Sequence, residues 1–415
     1  MINSKIAFIG VLKSRLKSLI LAKLHAKPEL VSRFSTRVLR EGVPRYVNWA
    51  YEVERIKTLE YIESVRVGDY DYRFSRTAPA PTLYGSCYAF MLEAMFGGRG
   101  RESNSRQHAW LDYFDAHQDE QDGLFRDAAL AGAAYEGKTG WGDGWGARHL
   151  TAHIVICYAR LGRAPRFPLR ILEPYYDPTY LSNWLAGFRF SSNVWSQSNS
   201  IMNVYTLLQF ARDYMGQGRA VPAVESIRNW LLTTQRGDTG MWHEYAIYGY
   251  PEIGDAIRGA YHFYPIFVYD GQPIQYAEAV VDSVLRSQNS WGGFSPDECA
   301  SGACEDIDAI EPLIRACVQT GYRRTEVETS LRRAMVWILA CRNSDGGYES
   351  IPENECPYGG HPLTTSAVGE GNLFATWFRT LCLAYVVEFL GIQNDFELGV
   401  FPGYEIALNH GRASQ

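Results

Sequence analysis

No CxxC pair occurs anywhere in this chain, although it holds eight cysteines (Cys87, Cys157, Cys299, Cys304, Cys317, Cys341, Cys356 and Cys382). Several fall in apolar stretches where a reduced thiol acts as a small hydrophobe, which points to a reducing compartment and a cytoplasmic location. Long hydrophobic runs are absent too, so no membrane span is expected. The apolar run from Ile6 to Leu12 is short, broken by Gly10 and followed by Lys13, Arg15 and Lys17, unlike a secretory signal. There is no Pro/Gly/Ser-rich linker to divide two cores. No strand and no Lys-Ser/Thr accompany the glycines of Trp141-Gly142-Asp143-Gly144-Trp145-Gly146, so no phosphate-binding loop and no nucleotide cofactor is expected.

What is present is carbon and aromatic surface. Of the 415 residues, 46% are hydrophobic and 14% are aromatic, enough for one large core without staples. A similar signal occurs four times: a helix ends near Gln, then Gly and an aromatic follow. The copies are Gln118 to Gly123-Leu124-Phe125, Gln235 to Gly240-Met241-Trp242, Gln288 to Gly292-Gly293-Phe294, and a degenerate one, Arg342 to Gly346-Gly347-Tyr348. Glycine supplies the positive φ that ends a helix, and the aromatic tucks against a neighbouring unit.

Between these turns two kinds of helix alternate. Residues 47–63, 106–117, 180–188, 223–234, 274–287 and 326–341 are amphipathic with a charged face, as outer helices are. Residues 83–96, 149–161, 199–214, 259–269, 306–319 and 373–390 are apolar almost all round, as buried inner helices are. Six of each, alternating, predict an all-α (α/α)6 toroid of about six helical hairpins spanning residues 47–392, with a leader (1–46) and a tail (393–415). Such a ring encloses one central pit.

Charge is uneven. The net charge is −6, yet residues 1–46 hold ten Lys and Arg against only Glu29 and Glu41, so the body is acidic. Leu12, Leu16, Leu19, Ile20 and Leu24 fall at helical spacing opposite Lys13, Arg15, Lys17 and Lys23. That pattern suits peripheral contact with an anionic membrane surface or packing on the ring. Nucleic acid is a poor partner for so acidic a body.

The Gln-to-aromatic turn, above all Gln288-Asn289-Ser290-Trp291-Gly292-Gly293-Phe294, resembles that of the α/α toroid superfamily of squalene-hopene cyclases, class II terpene cyclases and prenyltransferase β subunits. The cyclases protonate an alkene with the middle Asp of a D-x-D-D motif. Here Asp306 and Asp308 match its first and middle Asp, while Ala309 stands at the last. The resemblance implies Asp308 as proton donor and Asp306 as its electrostatic partner; Asp306 as a plain helix cap is the alternative. Prenyltransferase β subunits bind zinc through Asp, Cys and His. Cys304, Asp306 or Asp308, and His361 fill those types but not the D-x-C order, so no metal is expected.

If the N-terminal ends of the inner helices form one rim, that rim gathers Arg148, His149, His153, Asn199, Asn203, Arg258, Tyr261, His262, Asp306, Asp308 and Arg379. Trp141, Trp145, Trp195, Trp242, Tyr261, Trp291 and Trp377 are the aromatic candidates for its wall. His149 or His262 is the candidate base, and the other residues are candidate substrate contacts. The segment 353–363 is too irregular for a helix and is expected over the mouth. Two classes of small-molecule substrate follow. An isoprenoid would suit the cyclase-like acid. A glycan, handled by a lyase, hydrolase or epimerase, would suit so polar a rim, and a non-catalytic binding scaffold is a third reading.

Overall fold

The structure is a computed structural model, and residues 33–97, 104–130, 144–296 and 299–409 are described. In chain order the helices are α1 (Tyr51–Val65), α2 (Leu83–Met95), α3 (Asn104–Asp115), α4 (Trp145–Leu161), α5 (Pro178–Ala186), α6 (Val194–Tyr214) and α7 (Ala220–Thr234). They continue with α8 (Tyr250–Tyr261), α9 (Tyr264–Tyr269), α10 (Ala277–Ser287), α11 (Ala303–Thr320), α12 (Arg324–Ala340) and α13 (Leu373–Phe389). Each of α2, α4, α6, α8 and α11 packs on the next inner helix, and α13 packs back on α2, which closes the circle. The amphipathic helices α1, α3, α5, α7, α10 and α12 alternate with them on the outside. The fold is an all-α (α/α)6 toroid.

The inner helices are buried because they have no polar face to spare. Every residue of α2 except Glu93 is buried, and so are nearly all of α13. At about 1.5–3 kcal/mol for each large apolar side chain removed from water, these two alone supply much of the drive for closure. Their first turns are fixed by side-chain caps: Thr82 accepts from the Gly85 amide at 3.1 Å and Asn372 from the Ala375 amide at 2.8 Å.

The repeated turn works as a clasp between hairpins. Gln118, Gln235 and Gln288 each donate Nε2 to the carbonyl of the turn glycine, Gly123, Gly240 or Gly292, at 2.9, 2.7 and 2.8 Å. Each also reaches the next unit, at the Phe167, Gln275 or Ser330 carbonyl. Glycine is required at 292 on two counts. Its φ is +104°, and a Cβ would lie 2.3 Å from the Arg333 carbonyl oxygen. In the degenerate copy Arg342 replaces Gln for a reason the ring makes plain. It makes the same clasp to Gly346 at 2.7 Å and pairs with buried Glu54 of α1, so it joins the last hairpin to the first.

Both flanks of the ring lie against it. Residues 33–47 are helical and bury Phe34, Val38, Val43 and Tyr46 against α12, with Arg37 bonded to Glu349 at 2.8 Å. The apolar periodicity at residues 12–24 lies outside the described residues. Downstream, residues 397–407 bind the C-terminal ends of the inner helices. The Glu397 amide donates to Met95 of α2 at 2.8 Å, Arg160 of α4 pairs with fully buried Glu405, and Arg315 of α11 donates to the Ile406 carbonyl. The segment closes one aperture of the ring, leaving a pit open at the N-terminal ends.

Candidate active site

The pit has a volume of about 480 Å³. Its wall comes from the first two or three turns of α4, α6, α11 and α13 and from the end of α8, its roof from the segment after α12, and its floor from the C-terminal segment.

The polar wall is carried by α4, α6 and the end of α8. His149 and His153 lie one turn apart on α4, with ring centroids 4.4 Å apart, and Trp145 stacks on His149 at 4.5 Å. Asn199 is the hub. Its Oδ1 accepts from Trp145 Nε1 at 2.7 Å and from Asn203 Nδ2 at 3.1 Å, which leaves Nδ2 to donate to His262 Nε2 at 3.3 Å. The other nitrogen of His262 is 2.8 Å from the Ser198 hydroxyl, which itself donates to the Trp195 carbonyl. His262 is therefore a neutral Nδ1–H imidazole, and burial pushes its pKa down to about 3.

His153 is held differently. Nδ1 lies 2.8 Å from the His149 carbonyl oxygen, which can only accept, so Nδ1 carries the proton and Nε2 is a bare lone pair. That lone pair is buried and has no hydrogen-bond partner. Burial pushes the His153 pKa down to about 4, so the ring is neutral at ordinary pH. His149 is likewise pushed well down by burial, and its Nδ1 meets the Tyr84 hydroxyl at 2.6 Å.

Opposite stands α11. Asp308 is 1% exposed, and its Oδ2 has no partner. Burial is the largest influence on its carboxyl and pushes the pKa well above the usual range; Arg258 acts the other way, while Glu305, Asp306 and Glu311 add to the rise. The result is a neutral carboxylic acid on the cavity wall. Glu305, three residues earlier, is clamped by Arg258 at 2.9 Å and by the Gly302 amide at 2.8 Å.

Asp306 does not face the pit beside Asp308, because residues two apart on a helix point to nearly opposite sides, although its charge is among those that raise the Asp308 pKa. Asp306 turns away from the pit into an ion pair with Arg379 at 2.5 Å, and it accepts from Ser301 at 2.5 Å and Trp337 Nε1 at 3.1 Å. Both residues are buried and belong to the packing of α11 on α12 and α13.

The structure gathers Trp145, His149, His153, Asn199, Arg258, Tyr261, His262 and Asp308 around the pit, joined by Trp195. It sends others elsewhere, and Trp141 lies outside the described residues. Arg148 faces outward, hydrogen-bonded to Tyr175. Trp242 is buried between hairpins and donates Nε1 to the Leu231 carbonyl at 2.8 Å, and Trp291 sits in the Gln288 clasp. Asn203 braces Asn199 from below, and Trp377 lies beneath the floor, stacked on Phe378 at 4.6 Å.

Sequence reasoning did not single out the roof and floor aromatics. Cys356–Pro357 pairs antiparallel with Thr365–Ser366, folding a strap over the mouth. From it Tyr358 packs on Phe374 at 4.4 Å and meets the Tyr88 hydroxyl at 3.0 Å, while Glu355 stands exposed at the opening. At the floor Tyr404 stacks on His153 at 4.5 Å. The one sequence cue for Tyr404 was its setting in Phe401-Pro402-Gly403, a turn too apolar to be left in water.

Among solved structures, the chain is similar to a GH76 alpha-mannanase of Bacteroides thetaiotaomicron, at 13% identity over 85% of this chain and 100% of that one, with a TM-score of 0.47. It is also similar to a glycosidase variant, at 13% identity over 82% of this chain and 97% of that one, with a TM-score of 0.46. Similarity of this degree assigns no residue a role. No protein-family model and no curated protein sequence matches the chain.

Proposed function

We propose that the pit is the active site of a carbohydrate-active enzyme that cleaves a glycosidic bond with Asp308 as general acid. The observation that carries this reading is the Asp308 carboxyl, buried and without a partner at Oδ2, on the wall of a cavity lined by aromatic rings and hydrogen-bonding side chains, where burial favours its protonated form. A carboxylic acid held neutral can give its proton to the bridging oxygen as the bond to the anomeric carbon breaks. The electron pair of that bond stays with the leaving oxygen. Water then adds at the anomeric carbon and loses its proton to a carboxylate, for which Glu355 at the wet mouth is the candidate. Trp145 and Trp195 offer flat faces to sugar rings, and Asn199, His149 and Tyr404 offer polar atoms to hydroxyls.

The imidazoles weigh against the isoprenoid alternative. Cyclisation runs through carbocations, and the neutral imidazoles of His149 and His153 in the wall are bases that would capture or deprotonate them. Glycoside hydrolysis also develops positive charge at the anomeric carbon, but there capture by a nucleophile, water, is the outcome the reaction needs.

The test is to incubate the protein with end-labelled neutral oligosaccharides and with isoprenoid alcohols and diphosphates, and to follow products by mass spectrometry. Shortened saccharides, lost in Asp308→Asn, are expected. Turnover of isoprenoids alone would reject the glycan reading.

A further inference from the structure

The deepest part of the pit contains polar atoms that the protein itself does not satisfy. His153 Nε2 and Arg258 Nε join Asp308 Oδ2 as buried atoms without partners, and all three residues line the cavity. Leaving a buried polar atom unpaired costs about 1–3 kcal/mol, so several in one corner are a standing expense that a ligand can repay. The identity of each atom says what that ligand must present. His153 Nε2 is an acceptor only, because Nδ1 holds the proton against the His149 carbonyl and the ring is neutral. Tyr404 and the ring of Trp377, at 4.5 and 5.6 Å, fix the imidazole plane. A ligand group meeting that lone pair must be a donor.

The floor also limits charge. Arg258 is the cation lining the cavity among the described residues; its Nη1 is engaged by Glu305, while its Nε is buried without a partner. A carboxylate or phosphate set against His153 would meet a bare imidazole lone pair and the Asp308 carboxyl. The C-terminal segment lies across the C-terminal ends of the inner helices, so a bound chain cannot thread through the ring and the floor is a blind end.

From these features we infer that the floor is a terminal subsite that reads a neutral hydroxyl through His153 Nε2. The enzyme then takes the end unit of a neutral glycan rather than an internal stretch or a uronate. The glycan part of this inference rests on the function proposed above; the donor-reading floor does not.

The experiment uses the full chain labelled with 15N-histidine, with the His153 Nε2 resonance assigned by its loss in His153→Phe. Methyl glycosides of mannose, glucose and galactose, the matching uronates, and geraniol are titrated in turn, and tryptophan fluorescence reports occupancy independently. A neutral glycoside is expected to move the His153 Nε2 resonance in the direction of an accepted hydrogen bond. It should bind roughly tenfold or more weakly to His153→Phe, the loss of one buried hydrogen bond. If geraniol moves the resonance and no glycoside does, the donor-reading floor stands and the glycan reading falls. Quenching by any probe without movement of His153, tighter binding of a uronate than of its parent sugar, or no response to any probe would each overturn the inference.

Discussion

Asp308 concentrates the chemistry of the molecule in one proton. General acid catalysis is worth about 10²–10⁴-fold, so Asp308→Asn should lower kcat by that range in the saccharide assay while leaving the fold intact. The same substitution should stabilise the protein. The folded carboxyl keeps a proton that the unfolded chain, with an ordinary Asp near about 3.9, releases. Stability therefore falls as pH rises from about 4 toward the raised folded value, and Asn removes that loss. Urea melts should show Asp308→Asn more stable than the parent at pH 7, with the gap closing near pH 4. An equal gap at both pH values would mean the carboxyl is not held neutral. The histidines act in the opposite sense. His153, pushed down to about 4, and His262, to about 3, contribute stability that is present above about pH 6.5 and lost as pH falls through those values. Replacing both with Phe should flatten the acid limb of the stability curve between about pH 6.5 and pH 4.

At the scale of the element, the clasp turns decide whether hairpins join. Gly292→Ala forces a Cβ to within 2.3 Å of a carbonyl oxygen at a φ of +104°, so the backbone must move. A loss of about 1–3 kcal/mol or more, read as a lower melting temperature, is expected. The ring-closing pair is more sensitive. Arg342→Gln restores the residue found in the other clasps yet leaves the buried Glu54 carboxylate without its cation, held only by the Tyr348 and Thr58 hydroxyls, at a cost of about 3–5 kcal/mol. Adding Glu54→Gln should recover most of that loss, and a double variant no more stable than the single would remove Arg342 from ring closure. The helices were legible because burial on all sides leaves a sequence with no polar stripe, as in residues 83–95 and 373–389. The degenerate clasp was legible as a repeat but not as a closure, because Glu54 lies 288 residues away from Arg342. Asp306 and Asp308 were read together because they match the first and middle Asp of the cyclase motif, whereas a helix places them on different faces and gives only one of them to the pit. Trp242 and Trp291 were beyond sequence reasoning for a related reason. A Trp after a turn packs between hairpins or faces a cavity according to the rotation of its own backbone, which periodicity does not record.

The whole molecule is a cup, made by a ring and a plug drawn from its own C-terminal segment. Tyr404, Glu405 and Ile406 are buried, and Tyr404 forms the floor on which His153 rests. Nothing in the apolar periodicity of the helices announced this, because the plug is irregular and its partners lie on four different inner helices. Cutting the chain after Ile392 should expose the pit at its base, lower the melting temperature and abolish capture of a chain end, checked by calorimetry and by the saccharide assay. The most direct test of the central claim is the product profile of the intact protein on end-labelled neutral oligosaccharides, run beside Asp308→Asn. The account predicts stepwise shortening from one end by the parent and none by the variant; undiminished cleavage by Asp308→Asn, or random internal cuts by the parent, would contradict it.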